Sequence, residues 1–367
     1  MANHLSINMR NPIQITGLLF VMLTLMSSLL FYACVDTLDS DYTVDAPILV
    51  VEASVLDTLM VGMPESATMQ VSLFSLIPLE STYVQGGLEN FGITDATVII
   101  RDTDNNSYDL NHIGKGLYVN STIGKAGVGY QIDITLKNGS TITSDIEYLE
   151  ASAIKQDSLS VTSIQTENTQ TTDIETLVHY SNPASAEAQF IYKSWREYEF
   201  REDPSLPFQK FCYISEPIDN NTVTISQVRS DQAIATTTAS TLGYDSRFAF
   251  KLFYHLYQYH ISSTTYAYYE QVDQNKNQSE ALFAPIPGKI RTNLTLDGED
   301  TRDLQGYFTV ASVEYNRVQT NPTTLNQQVI FACPSNSSRP WSNNPLRDFC
   351  ADCLIYDNAT LDRPSYW

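Results

Sequence analysis

Gln131-Ile132-Asp133-Ile134-Thr135-Leu136, followed by Lys137-Asn138-Gly139, alternates polar and apolar side chains and then meets a turn pair. Successive side chains of a strand point to opposite faces, so Ile132, Ile134 and Leu136 share one face while Gln131, Asp133 and Thr135 share the other. Asn-Gly readily takes the positive φ that tight hairpins need, so the stretch predicts a half-buried strand and its return. Similar short runs surround it: ILVVEASV (48–55), ATMQVSLFSL (67–76), ATVIIRD (96–102), GLYVN (116–120) and TITSDIEY (141–148), separated by turn residues. About six or seven strands at this spacing predict an immunoglobulin-like β-sandwich over residues 47–152.

Residues 153–367 predict a larger β-rich domain with one or two short helices, so the fold class is predominantly all-β. Its candidate strands are Gln189–Phe200, Phe211–Ser215, Thr222–Val228, Phe248–Tyr259 and Gly306–Val318. A helix is expected after Ser262-Ser263, whose hydroxyls suit an N-cap, with Tyr266, Tyr269 and Val272 at helical spacing. The Pro-rich turn Ala284-Pro285-Ile286-Pro287-Gly288 follows it. Phe248 to Tyr269 holds nine aromatics among twenty-two residues. Two readings stay open for that run: a strand covered on both faces, or a surface whose rigid rings recognise peptides or sugars.

At the N-terminus, Gly17–Tyr32 (GLLFVMLTLMSSLLFY) is almost continuously apolar, and Arg10 is the only charged residue before Cys34. Sixteen residues make ~24 Å of helix, short of the ~30 Å hydrocarbon core, so a signal peptide over residues 1–33 is favoured over a permanent span. Ala33-Cys34 fits a lipoprotein signal in which Cys34 is acylated and becomes the first residue, although Phe31 and Tyr32 depart from the usual Leu and small residue. Initiation at Met9 in place of Met1 gives a tighter n-region. Residues 34–46 form a polar, acidic tether. Loss of Arg10 with the signal moves the formal net charge from −21 to −22. So acidic a chain disfavours nucleic acid and anionic headgroups as partners.

Four cysteines remain after the anchor: Cys212, Cys333, Cys350 and Cys353. An even set in an exported chain reads as two disulfides, with three pairings open, and these staple the C-terminal tail. The Cys350-Ala351-Asp352-Cys353 spacing also serves zinc ribbons and redox motifs, but it lies in a Pro/Asn-rich tail and not at the start of a helix after a strand.

The chain carries no His-x-x-x-His, Gly-x-Ser-x-Gly or phosphate-cradling Gly-Lys-Ser/Thr motif, so no catalytic residue, metal site or cofactor is assigned. His255 and His260, five apart on an expected strand, face opposite ways and do not suit a shared metal. Asp297, Glu299, Asp300 and Asp303 form an acidic cluster without calcium-loop spacing, which reads as a solvated loop. Asp36-Thr37-Leu38, Asp57-Thr58-Leu59 and Asp157-Ser158-Leu159 resemble a short bacterial O-glycosylation signal, the first in the tether being the best placed.

Taken in order, several stretches resemble a family of Bacteroidota lipoproteins known as domain of unknown function 4249. They are Cys34, Leu49-Val50-Val51-Glu52, Thr94-Asp95-Ala96-Thr97-Val98-Ile99-Ile100, Gly116-Leu117-Tyr118, Gly127-Val128-Gly129-Tyr130, Cys212, Gly306-Tyr307-Phe308, Cys350 to Cys353 and Arg363-Pro364-Ser365-Tyr366-Trp367. The resemblance implies an outer-membrane lipoprotein facing the exterior, with the periplasmic face as the alternative, and a TonB-dependent receptor as its partner. Asp36, Asp39 and Asp41 then look like the signal for surface export. The family supplies no catalytic residues. An accessory of an uptake system is the leading expectation, a surface adhesin or glycan-binding protein the alternative, and an unrecognised hydrolase a third. The ligand stays unassigned.

Overall fold

The computed structural model describes residues 48–58, 67–76, 91–151, 154–165, 172–182, 185–218, 224–279, 290–333 and 347–367. The expected signal segment, Cys34, the acidic tether and the turn at 284–288 lie outside these residues. The fold is mostly β, with two α-helices among the described residues.

The hairpin predicted from residues 131–139 forms. β7 (Gly129–Thr135) pairs antiparallel with β8 (Thr141–Ser144), setting Ile134 opposite Ile142. Gly139 takes φ 84° in the turn, and its N–H donates to the Leu136 carbonyl at 2.9 Å. Ile132 and Ile134 are fully buried, whereas Asp133 is half-buried and Thr135 exposed, as the alternation requires.

Around this hairpin grows a sheet in the order β17 (Leu294–Asp297), β8, β7, β3 (Thr97–Asp102) and β4 (Ser107–Asp109), with β9 (Glu147–Tyr148) on β7. It shares a core with β1 (Ile48–Leu56), β2 (Met69–Leu76), β6 (Leu117–Asn120) and the neighbouring β5 (Asn111–Gly114), which belong to a ten-stranded sheet. Residues 47–152 do not complete that core. Leu294, Leu304, Phe308 and Val310, from far beyond the sequence boundary at 152, are buried within it.

The strand that brings them is β18 (Leu304–Thr320). Its first half, Leu304 to Ala311, pairs parallel with β1, and its second half, Ser312 to Thr320, pairs antiparallel with β16 (Leu252–Ile261). One strand therefore serves both predicted regions, and residues 46–367 make one compact unit. The ten-stranded sheet continues from β16 through β12 (Ala188–Arg201) and β13 (Phe211–Pro217) to β19 (Ala359–Thr360), with β14 (Thr224–Val228) also on β12.

A three-stranded sheet of β10 (Gln156–Gln165), β11 (Thr172–Ser181) and β15 (Ile234–Gly243) covers one face of β12 and β16, burying Tyr180, Phe190, Tyr192, Ala239 and Leu256 together. The opposite face buries Ile191, Trp195, Tyr257 and Tyr259 against Leu56, Ala311 and two tyrosines of α1 (Ser263–Ser279). All ten residues of β16 are buried. The aromatic run within this strand is thus core on both faces and not an open recognition surface.

Near the C-terminus, α2 (Arg347–Ala351) carries Cys350 into a second core. Cys212 bonds to Cys353 with 5.6 Å between the Cα atoms of the other pair, Cys333 and Cys350, and 6.0 Å in its own. The two cysteines of the Cys-x-x-Cys motif therefore belong to different disulfides. Closing a loop with a sequence separation of 141 contributes ~5 kcal/mol in the chain-entropy model.

Candidate functional site

Strand alternation in β1 sends Val51, Ala53 and Val55 into the first core and turns Glu52, Ser54 and Leu56 the other way. Those three residues line a cleft of about 340 Å³, where β1, β2, β12, β16, β18 and α1 meet. β12 adds Ile191 and Lys193, β16 adds Tyr259, α1 adds Tyr269 and β18 adds Tyr307 and Thr309. Pairing fixes their spacing: Glu52 lies beside Tyr307 across the parallel pair and beside Ser72 across the antiparallel one.

Among the described residues of the cleft lining, Glu52 and Lys193 are the charged ones. Both are exposed to its solvent, and neither makes a hydrogen bond or an ion pair within 4.0 Å among the described residues. The Lys193 ammonium lies 5.2 Å from the centroid of the Tyr259 ring, within reach of its π face. Protein packed around the stem pulls the lysine pKa below its ordinary value, and the Glu52 carboxylate opposes that pull. Because the side chain reaches solvent in the cleft, its desolvation is that of a pocket wall and not of a sealed core.

The tyrosine wall is held from behind. The Tyr307 hydroxyl donates to Glu147 Oε1 at 3.1 Å, and Tyr268 stacks on its ring at 4.5 Å. Glu147, itself buried, also accepts from Ser262 Oγ at 3.0 Å and from Asn293 Nδ2 at 3.2 Å. Ser262 in turn accepts from the Thr265 N–H at 3.2 Å, capping α1 as its hydroxyl predicted. Burial and the neighbouring Glu147 charge raise the Tyr307 phenol to about 12, and burial raises Tyr269, so both rings present neutral hydroxyls near neutral pH. Among the described residues the lining holds no histidine or cysteine.

On the same face of β12 and β16, Trp195 stacks on His255 at 4.7 Å and on Tyr257 at 4.8 Å. Nδ1 of His255 lies 2.8 Å from the Tyr315 hydroxyl, and Nε2 lies 3.4 Å from Glu197. His260 points to the other face, against Phe190, and its Nδ1 lies 3.3 Å from the Glu150 carbonyl. The two histidines thus face opposite sides of the sheet, as their odd spacing predicts. A second cavity, about 350 Å³, lies beside Cys333, where Arg201 sits over the Phe250 ring at 3.8 Å and Phe211 and Phe331 are exposed.

The acidic cluster at 297–303 resolves into an ion pair. Arg302 Nη2 donates to Asp300 Oδ2 at 2.6 Å, and this guanidinium holds the Asp300 carboxyl at about 2. Among the described residues no group of three His, Cys, Asp or Glu is placed to hold a metal ion. Of the glycosylation-like triplets, Asp157-Ser158-Leu159 lies in β10 with Asp157 accepting from Ser181, while Asp57 accepts the Val313 N–H at 2.8 Å. Leu59 and the triplet at 36–38 lie outside the described residues.

Sequence reading did not single out Glu52 and Lys193 as a pair. Each was visible as a lone charge in an apolar strand, ILVVEASV and FIYKSW, but only the handover of β18 between β1 and β16 brings the two together.

A family model described as domain of unknown function (DUF4249) matches residues 35–317, well over half of the chain. No curated protein matches.

Proposed function

The chain belongs to the family described as domain of unknown function 4249, and on that premise we propose that it is a lipid-anchored outer-membrane protein of a Bacteroidota bacterium, a non-enzymatic accessory of a TonB-dependent uptake system that binds ligand or the receptor barrel from outside. The observation that carries this reading is the apolar run ending in Ala33-Cys34, directly ahead of residue 35, where the family match begins. Acylation of Cys34 with two or three chains anchors a protein stably where one chain is marginal. Two disulfides accord with an oxidising, exported setting. The two sheets around the first core are read as an immunoglobulin-like sandwich that β17 and β18 extend. The cleft at Glu52 and Lys193, lined by apolar and aromatic side chains beside the two charges, supports capture of a small ligand.

The exposed rings of Phe211 and Phe331 beside Arg201 favour a second reading, a surface adhesin or glycan-binding lipoprotein, because open aromatic faces suit sugar rings. Affinity purification of the tagged protein in mild detergent separates the two. Co-purification of a TonB-dependent barrel, with loss of uptake on deletion, is the expected result. Absence of any barrel together with unimpaired uptake overturns the uptake reading.

A further inference from the structure

We propose that the cleft between β1, β12 and α1 binds a compact zwitterion, a free amino acid with an apolar or aromatic side chain, its carboxylate on Lys193 and its ammonium on Glu52. This deepens the ligand-binding part of the function proposed above and rests on it for the role of the captured molecule.

Glu52 and Lys193 bring opposite charges to one cleft, and among the described residues no ion pair within 4.0 Å joins them to each other or to another charged side chain. An exposed ion pair gains only about 0–1 kcal/mol against the entropy of holding two side chains together, so Lys193 is not compelled to close on Glu52. Here Lys193 lies instead toward the Tyr259 ring, which leaves room between cation and anion for a molecule carrying the complementary charges. A single anion would satisfy Lys193 and be repelled by Glu52; a single cation would meet the reverse. A zwitterion satisfies both, and its two charges replace the water that each group gives up.

Size and lining narrow the class further. A cleft of about 340 Å³ sits at the small end of ligand sites, suited to an amino acid and too small for an oligosaccharide. Leu56, Ile191, Tyr259 and Tyr269 offer apolar and aromatic surface to a side chain. Both charges stand on paired strands, and Tyr307 is fixed by Glu147 and Tyr268, so recognition starts from a pre-formed geometry.

The test is isothermal titration of the detergent-solubilised full-length protein with L-phenylalanine, with L-phenylalaninamide, which lacks the carboxylate, and with 3-phenylpropanoate, which lacks the ammonium. L-phenylalanine is expected to saturate one site, with each analogue at least tenfold weaker. Lys193→Met should erase the preference for L-phenylalanine over its amide, and Glu52→Gln the preference over 3-phenylpropanoate, both with an unchanged Tm. The proposal is overturned if L-phenylalanine does not bind, if either analogue binds as tightly, or if the folded variants keep their preferences. This titration needs no receptor. Failure here beside a co-purifying barrel removes the ligand class alone, whereas zwitterion binding without a barrel removes the uptake partner alone.

Discussion

Gly306 of β18 stands against Val51 of β1 so closely that any Cβ at position 306 would fall 1.9 Å from the Val51 carbonyl oxygen. Its φ of 106° is also one that only glycine adopts without strain. This contact fastens the returning C-terminal strand to the first strand of the fold and sets Tyr307 beside Glu52. Gly306→Ala is expected to cost at least ~3 kcal/mol, from backbone strain and the forced separation of β1 and β18. Urea unfolding followed by circular dichroism measures it; a variant as stable as the parent contradicts the parallel pairing.

The disulfide pattern makes a second prediction. Peptide mapping without reduction should recover Cys212 linked to Cys353 and Cys333 linked to Cys350. A direct link between Cys350 and Cys353 would refute the arrangement and return the motif to redox chemistry. Replacing Cys212 and Cys353 together by alanine should lower stability by ~5 kcal/mol, through restored freedom of the unfolded chain.

Asp300 supplies a pH dependence with a definite sign. Its carboxyl is held at about 2 by Arg302, below the ordinary value of 3.8, and its side chain is 5% exposed. A depressed folded-state pKa stabilises the protein above the unfolded value, and that contribution fades as pH falls from about 4 toward 2. Asp300→Asn should therefore destabilise by ~1–2 kcal/mol at pH 7, and the gap to the parent should narrow at pH 3. Urea titrations at both values check this. A gap that widens on acidification has the wrong sign.

Glu147 is the acceptor on which the cleft wall depends. Glu147→Ala leaves Ser262, Asn293 and Tyr307 without it, an expected loss of ~3 kcal/mol, while Glu147→Gln should cost less. Thermal unfolding of the two variants gives the comparison, and equal losses would mean that packing, not acceptance, is what residue 147 supplies.

Much of this architecture was legible from local patterns, because alternation and turn chemistry act over a few residues. Ile132 and Ile134 face the core, Gly139 turns the hairpin, and Ser262 caps the helix where its hydroxyl indicated. The twofold burial of β16 was one of two readings that its composition allowed; the deciding fact, sheets and helix on both sides, is tertiary. The reach of β18 was not legible. Gly306-Tyr307-Phe308 reads as the start of an ordinary strand, and nothing nearby tells that its partner lies some 250 residues earlier in β1. For the same reason Glu52 and Lys193 read as separate lone charges. The four cysteines announced two bridges by number and setting, but their pairing depends on where α2 places Cys350.

The central claim, a protein held to its membrane through Cys34, is tested most directly by metabolic labelling with an alkyne-bearing palmitate, followed by membrane fractionation of the parent and Cys34→Ser. The expected result is label on the parent alone, with the variant unlabelled and released from the membrane. An unlabelled parent, or a variant that stays in the membrane, would contradict the claim and make the apolar segment 17–32 the anchor.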